Sequence, residues 1–128
     1  MPKKVLVIED NHQNMYLTTF MLERHGHKVL QAWDGQQGIE MAAQALPDLI
    51  LLDIQLPEMD GYAVAKALKA DPRLAMVPIV AVTSYAMAGD RERILASGCN
   101  GYIEKPINPE TFLAQIEQFL APAGPGEV

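Results

Sequence analysis

Four short apolar runs in this sequence lead directly into residues able to do chemistry. Val5–Ile8 is followed by Glu9 and Asp10, Leu49–Leu52 by Asp53, Ile79–Val82 by Thr83 and Ser84, and Gly101–Ile103 by Glu104, Lys105 and Pro106. Three carboxylates brought together would repel one another and lose hydration, which makes ionising all of them costly. A hard divalent cation removes that conflict. Mg²⁺ in particular favours a site with few carboxylates, several waters and phosphate oxygens. Lys105 would add a mobile point charge and Thr83 a hydroxyl donor. This set suits a carboxylate nucleophile attacking a phosphoryl group whose equatorial oxygens are neutralised by the cation and the ammonium. In that chemistry Asp53 is the acceptor, and the apolar run before it is a rigid mount. Each signal also has an ordinary explanation: a helix or turn cap, a solvated acidic pair, a Lys-Pro turn, a hydroxyl turn. Their joint placement after four separate runs favours the chemical one.

Such residues converge only if the elements carrying them line up. Apolar runs with strand character cover Val5–Ile8, Lys28–Gln31, Leu49–Leu52, Ile79–Val82 and Gly101–Ile103, and helical spacing covers Asn11–His25, Gly35–Ala45, Gly61–Ala70, Ala86–Ala96 and Pro109–Leu120. Leu17, Met21 and Leu22 share one helical face, as do Leu113, Ile116 and Leu120. Gly26 and Gly98 stand where helices can close on a left-handed residue. Asn108-Pro109 has the chemistry of a helix start, and Pro78 can open a strand. Five βα repeats with short connections predict an α/β fold, a doubly wound parallel sheet with helices on both faces. Strands of such sheets are almost continuously apolar, as here. Binding sites in open parallel sheets lie beyond the carboxyl ends of the strands, which is where the acidic and hydroxyl residues fall.

The chain has 128 residues and a net charge of −6. That length fits one domain, expected over residues 1–121, with the Pro- and Gly-rich end, 122–128, as a flexible tail and no effector domain. The acidic balance, with no basic cluster beyond Lys3-Lys4, argues against nucleic acid or anionic membrane as partner. A single cysteine, Cys99, and a first apolar run too short for a signal core or membrane span suggest the cytoplasm. His12, His25 and His27 have no metal-ligand spacing. Cys99 lacks an evident base or second thiol, and the methionines read as core filler.

The segments "VLVIEDN", "DLILLDIQLPEMDGYAVAKAL" and "PIVAVTSYAMAGDRERILASGCNGYIEKPIN" resemble, in order and spacing, the response-regulator receiver domains of two-component signalling. The likeness runs from about Lys3 to Leu120, and its last part is closest to DivK-type single-domain regulators and hybrid-kinase receivers. The resemblance implies a flavodoxin-like sheet of order 2-1-3-4-5 with five helices. Asp53 would be the phosphorylated aspartate. Mg²⁺, for which Mn²⁺ or Ca²⁺ can substitute, would be held by Asp10, Asp53 and the Gln55 main-chain carbonyl, with Glu9 acting through metal-bound water. Thr83 would hydrogen-bond the phosphoryl group and Lys105 pair with it. Tyr102 would be the aromatic that turns inward with Thr83, the peptide bond before Pro106 would be cis, and Gln55 and Tyr85 would tune phosphate lifetime. The donor would be a phosphohistidine on a histidine kinase or phosphotransfer protein. Output would be protein binding at the face of helix four, strand five and helix five, around Arg91, Tyr102 and Gln115. Two rivals remain. A phosphorylation-independent adaptor would not need the complete site. An aspartyl-phosphate phosphatase commonly carries a second acid two residues after its nucleophile, where this chain has Gln55.

Overall fold

A computed structural model describes residues 3–56, 59–84 and 87–120 of the chain. Its strands are β1 (Lys4–Ile8), β2 (Lys28–Ala32), β3 (Leu49–Asp53), β4 (Ile79–Thr83) and β5 (Gly101–Glu104). Its helices are α1 (His12–Arg24), α2 (Gly35–Ala45), α3 (Gly61–Ala70), α4 (Ala88–Ala96) and α5 (Pro109–Leu120). The strands form one parallel sheet in the order β2-β1-β3-β4-β5. The expected doubly wound architecture is therefore present. Tyr85 and residues 122–128, which carried two of the expectations above, lie outside the described residues.

Alternation along the strands explains why both faces are covered. Leu6, Ile8, Ile50, Leu52, Ile79 and Ala81 point to one side, against Ala42 of α2, Val64, Ala65 and Leu68 of α3, and Ile94 of α4. Val5, Val7, Leu49, Leu51, Val80 and Val82 point to the other, against Met15, Met21 and Leu22 of α1 and Phe112 and Ile116 of α5. Successive side chains of a strand must face opposite ways, so a strand in the middle of a two-faced core has no polar position to offer. β3 obeys this from Leu49 to Leu52, and the charge comes only on its last residue, Asp53.

Element ends differ from the apolar pattern in an informative way. β3 takes in Asp53, β4 takes in Thr83 and β5 takes in Glu104. The ladder is made by backbone groups, so it continues one residue past the last apolar side chain: Asp53 stands opposite Val82, and Thr83 opposite Glu104. At the helix starts, Asn11 is a cap rather than the first turn, its side-chain oxygen accepting from the Asn14 N–H at 2.9 Å. α4 spans Ala88–Ala96, with Met87 as its cap residue and the Met87 N–H donating to Asp90 at 3.3 Å, while the expected start at Ala86 lies outside the described residues. Gly26 and Gly98 have φ of +84° and +106°, the left-handed values that end α1 and the turn after α4. A single 3₁₀ turn, Pro72–Leu74, was not anticipated. It is capped by Asp71, whose carboxylate accepts from the Arg73 N–H at 2.9 Å.

Gly61 does more than form a turn. A Cβ there would lie 2.5 Å from the Ile54 Cα and 2.6 Å from its carbonyl oxygen. Ile54 cannot retreat easily, because its N–H donates to the Val82 carbonyl at 3.1 Å. The start of α3 is thus seated directly on the backbone that follows Asp53. Gly61→Ala should destabilise the protein by about 1–3 kcal/mol, the usual cost of forcing atoms into a filled space. Urea denaturation reads this as a lower midpoint with an unchanged slope.

Candidate functional site

The carboxyl ends of β1, β3, β4 and β5 meet at one edge of the sheet. Glu9 follows β1, and its backbone N–H donates to the Ala32 carbonyl at 3.0 Å, so β2 fixes the end of β1. Its carboxylate accepts from the Asn11 N–H at 3.1 Å, at the start of α1. The positive end of that helix therefore faces the acidic residues. Glu9 is 4% exposed and Asp53 3%, while Asp10 is open to solvent. Glu9, Asp10 and Asp53 each present a carboxylate oxygen within 4.8 Å of the others.

Both oxygens of Asp53 are engaged. Oδ1 accepts from the Gln55 main-chain N–H at 2.8 Å. Oδ2 pairs with the Lys105 ammonium at 3.2 Å. Lys105 is itself held to β4, its N–H donating to the Thr83 carbonyl at 2.8 Å, and the Lys105–Pro106 peptide bond is cis. Thr83 is buried, and Ser84 beyond it donates its N–H to the side-chain oxygen of Gln55 at 2.9 Å. Asp53, Lys105, the Thr83 main chain, Ser84 and Gln55 are thus connected by short contacts.

Tyr102 lies elsewhere, half-buried on β5, with the Arg91 guanidinium 5.8 Å from its ring centre. Arg91 is exposed and Gln115 half-buried. Two features of this end of the molecule were not foreseen. One is a cavity of about 370 Å³ beside Lys105, lined by Asn14, Leu17, Ser84, Lys105, Pro106 and Ile107. Its walls come from three distant segments, each of which reads as ordinary helix or turn. The other is the cap pairing of Glu9 with Asn11, which the acid-then-Asn order permits without requiring.

The donor set fits a hard divalent cation on physical grounds. Glu9 and Asp53 are buried side by side, and the cost of ionising both is visible in the proton affinity of Glu9. Burial, followed by a hydrogen bond to Asp53 and the charge of Asp53, pushes Glu9 from 4.5 up to about 7; the Asn11 N–H and Lys105 oppose this only in part. A carboxyl kept protonated toward neutrality by burial and a neighbouring carboxylate is one whose ionised form a further positive charge would stabilise. Mg²⁺ would supply it, held by Asp10 and Asp53 with Glu9 alongside.

The consequence for stability follows from linkage. The folded-state pKa of Glu9 is raised, so between pH 4.5 and about 7 the native protein binds more protons than the unfolded chain. The associated stability, on the order of 3 kcal/mol, is fully present at low pH and is lost as pH rises through the folded value. In metal-free protein, Glu9→Gln should flatten the fall in unfolding free energy between pH 4.5 and about 7 and leave the variant more stable than the parent above that range. Mg²⁺ affinity of the parent should rise over the same interval. The single tryptophan, Trp33, reports it by fluorescence, since its ring lies 4.7 Å from that of His12, two residues beyond Asp10.

Residues 5–117 match the family of response regulator receiver domains. The chain is 44% identical over 123 residues to the polar-differentiation response regulator DivK of Brucella anthropi, covering 96% of this chain and 100% of that protein. It is 43% identical, with the same coverage, to DivK of Brucella ovis. The chemotaxis protein CheY4 of Vibrio cholerae superposes with a TM-score of 0.90 at 28% identity, over 94% of this chain and 100% of that one. The receiver domain of the sensor histidine kinase PA1611 of Pseudomonas aeruginosa, solved with magnesium coordinated in its active-site cleft, gives 0.86 at 32% identity over 94% and 98%. An acidic edge on a 2-1-3-4-5 sheet, and relatives matched along nearly their whole length, lead to one conclusion: this chain belongs to the response regulator receiver domain family.

Proposed function

We propose that the protein is a stand-alone cytoplasmic response regulator whose Asp53 accepts a phosphoryl group from a phosphohistidine on a histidine kinase or phosphotransfer protein. The observation that carries this reading is the pairing of a buried Asp53 with Lys105 at 3.2 Å, inside a cluster of three carboxylates. In the reaction an Asp53 oxygen forms a bond to phosphorus as the bond from phosphorus to the donor imidazole nitrogen breaks. The electron pair of that bond returns to the imidazole. Bound Mg²⁺ would supply charge neutralisation of the phosphoryl oxygens, with Asp10, Asp53 and the Gln55 carbonyl as direct ligands and Glu9 acting through water. Lys105 stays close enough to follow the transferred group, and Thr83 offers it a hydroxyl. The cavity between α1 and the Lys105–Ile107 segment gives the donor an approach.

The resulting acyl phosphate changes the balance between two arrangements of the surface formed by α4, β5 and α5, and so the binding of a downstream protein. Tyr102, in this reading, follows Thr83. Gln55 and Tyr85 govern how readily water reaches the acyl phosphate, so the protein promotes its own phosphorylation and slow dephosphorylation without acting on a separate substrate. Among the described residues no helix is long and apolar enough to cross a membrane.

Incubation with acetyl phosphate and Mg²⁺ should add the mass of one phosphoryl group to the parent and none to Asp53→Asn. A chelator should abolish the gain in the parent. A folded, Mg²⁺-binding parent that gains no mass with any small phosphodonor would instead indicate an adaptor.

A further inference from the structure

A cavity of about 190 Å³ between α3 and α4 shares no residue with the acidic edge. Tyr62, Ala63 and Lys66 line it on the α3 side, and Arg93, Ala96 and Ser97 on the α4 side. Ala63 and Ala96 offer only methyl groups, which leaves room between the two helices. The Arg93 guanidinium lies 4.1 Å from the ring centre of Tyr62. An oxygen of Asp60 stands 3.7 Å from it, beyond hydrogen-bonding distance. Among the described residues this guanidinium makes no hydrogen bond, and Lys66 makes neither a hydrogen bond nor an ion pair. Ser97 is buried, and its hydroxyl already donates to the Ile94 carbonyl at 2.6 Å. The side-chain cations with donors to spare are therefore Arg93 and Lys66, one on each wall.

We propose that this cavity is a binding site for a small phosphate-class anion, held by Arg93 from α4 and by Lys66 from α3. A guanidinium stacked on an aromatic face is already oriented, and its planar fork suits two oxygens of a carboxylate or a phosphate. The fork would occupy both oxygens of a carboxylate and leave none for Lys66 on the other wall. A phosphate has a further oxygen for the ammonium. Charge agrees with this choice: the chain carries −6 overall, yet the two cations here meet one carboxylate among the lining residues, Asp60. The site is separate from the phosphoryl chemistry proposed for Asp53 and does not depend on it. An anion held from both walls ties α4 to α3. Without it, the side chains joining the helices here are the Arg93–Tyr62 stack and the long pair with Asp60.

The test is titration of metal-free protein with inorganic phosphate at constant ionic strength, followed by the amide NMR shifts of Ala63, Ala96 and Ser97. Without Mg²⁺ the acidic edge repels the anion, so shifts at these amides report the cavity. Phosphate should bind saturably, with a dissociation constant on the order of 1 mM, and acetate about threefold more weakly or worse. Arg93→Lys keeps the charge but loses the fork, and should weaken phosphate binding by about three- to tenfold. Lys66→Gln should weaken it by a similar factor, and keeps the test decisive should Arg93→Lys loosen α4. Parent shifts that do not saturate overturn the proposal, as does acetate binding as tight as that of phosphate. A diffuse attraction to positive charge would be indifferent to Arg93→Lys. Unchanged affinity in a folded Arg93→Lys therefore overturns it too, as does unchanged affinity in Lys66→Gln.

Discussion

Charge crowding at one edge of a parallel sheet is the constraint on which the rest of the structure depends. Glu9, Asp10 and Asp53 offer oxygens within 4.8 Å of one another, and among the described residues the Lys105 ammonium is the cation paired with them. The uncompensated charge is that of one divalent cation. Without it the edge holds a proton on Glu9 into the neutral range. Such an arrangement persists only if the backbones carrying the acids cannot move apart. That is the physical reason for a strand such as β3, buried along its whole length, behind a buried carboxylate. Transfer of large apolar side chains from water, roughly 1.5–3 kcal/mol each, supplies the rigidity that electrostatic repulsion opposes.

Because the acids sit on strand ends, their surroundings are joined through loops. Gly61 seats α3 on the Ile54 backbone, Lys105 is fixed to Thr83, and Gln55 spans from Asp53 to Ser84. α4 is attached differently. Among its described side chains Ile94 is the fully buried apolar one, whereas Leu95, and Met87 just before the helix, are largely exposed. Arg93 adds a lateral contact, its guanidinium 4.1 Å from the ring centre of Tyr62 and 3.7 Å from an oxygen of Asp60, both at the start of α3. An element held by little apolar area and by solvent-exposed polar contacts is one that can be repositioned at small cost. The rigid and the adaptable parts of the molecule therefore meet at the same edge.

The sheet was legible because a fully buried parallel strand leaves an unbroken apolar run, and five such runs separated by helical periods allow few arrangements. Gly35–Ala45, Gly61–Ala70 and Pro109–Leu120 begin and end in the structure where periodicity and capping residues put them. The acidic cluster was legible for a related reason, since parallel strands bring their carboxyl ends to one side whatever their separation in sequence. The role of Gly61 was not. Glycine after Asp60 reads as a turn, and only the approach of Ile54 shows that the missing side chain matters. Nor could the Gln55 contact with Ser84, or that of Arg93 with Tyr62, be read from spacing. Each joins two loops or helix ends whose distance depends on tertiary packing, and a polar residue in a loop carries no period.

On the proposed function, the identity of residue 55 also bears on why an aspartyl phosphate here would act as a signal and not as a turnover intermediate. A carboxyl group two residues beyond the acceptor could serve as acid and base for hydrolysis. It would also add a fourth negative charge to an edge that already keeps a proton on Glu9. A carboxamide avoids both effects, being neutral and a poor proton carrier. Its oxygen remains a competent acceptor, which is the property the Ser84 contact uses. On the proposed function, slow hydrolysis would follow from the neutrality of Gln55. A neutral side chain at that position has no proton to give or take at neutral pH, so it would not help water remove a phosphoryl group from Asp53.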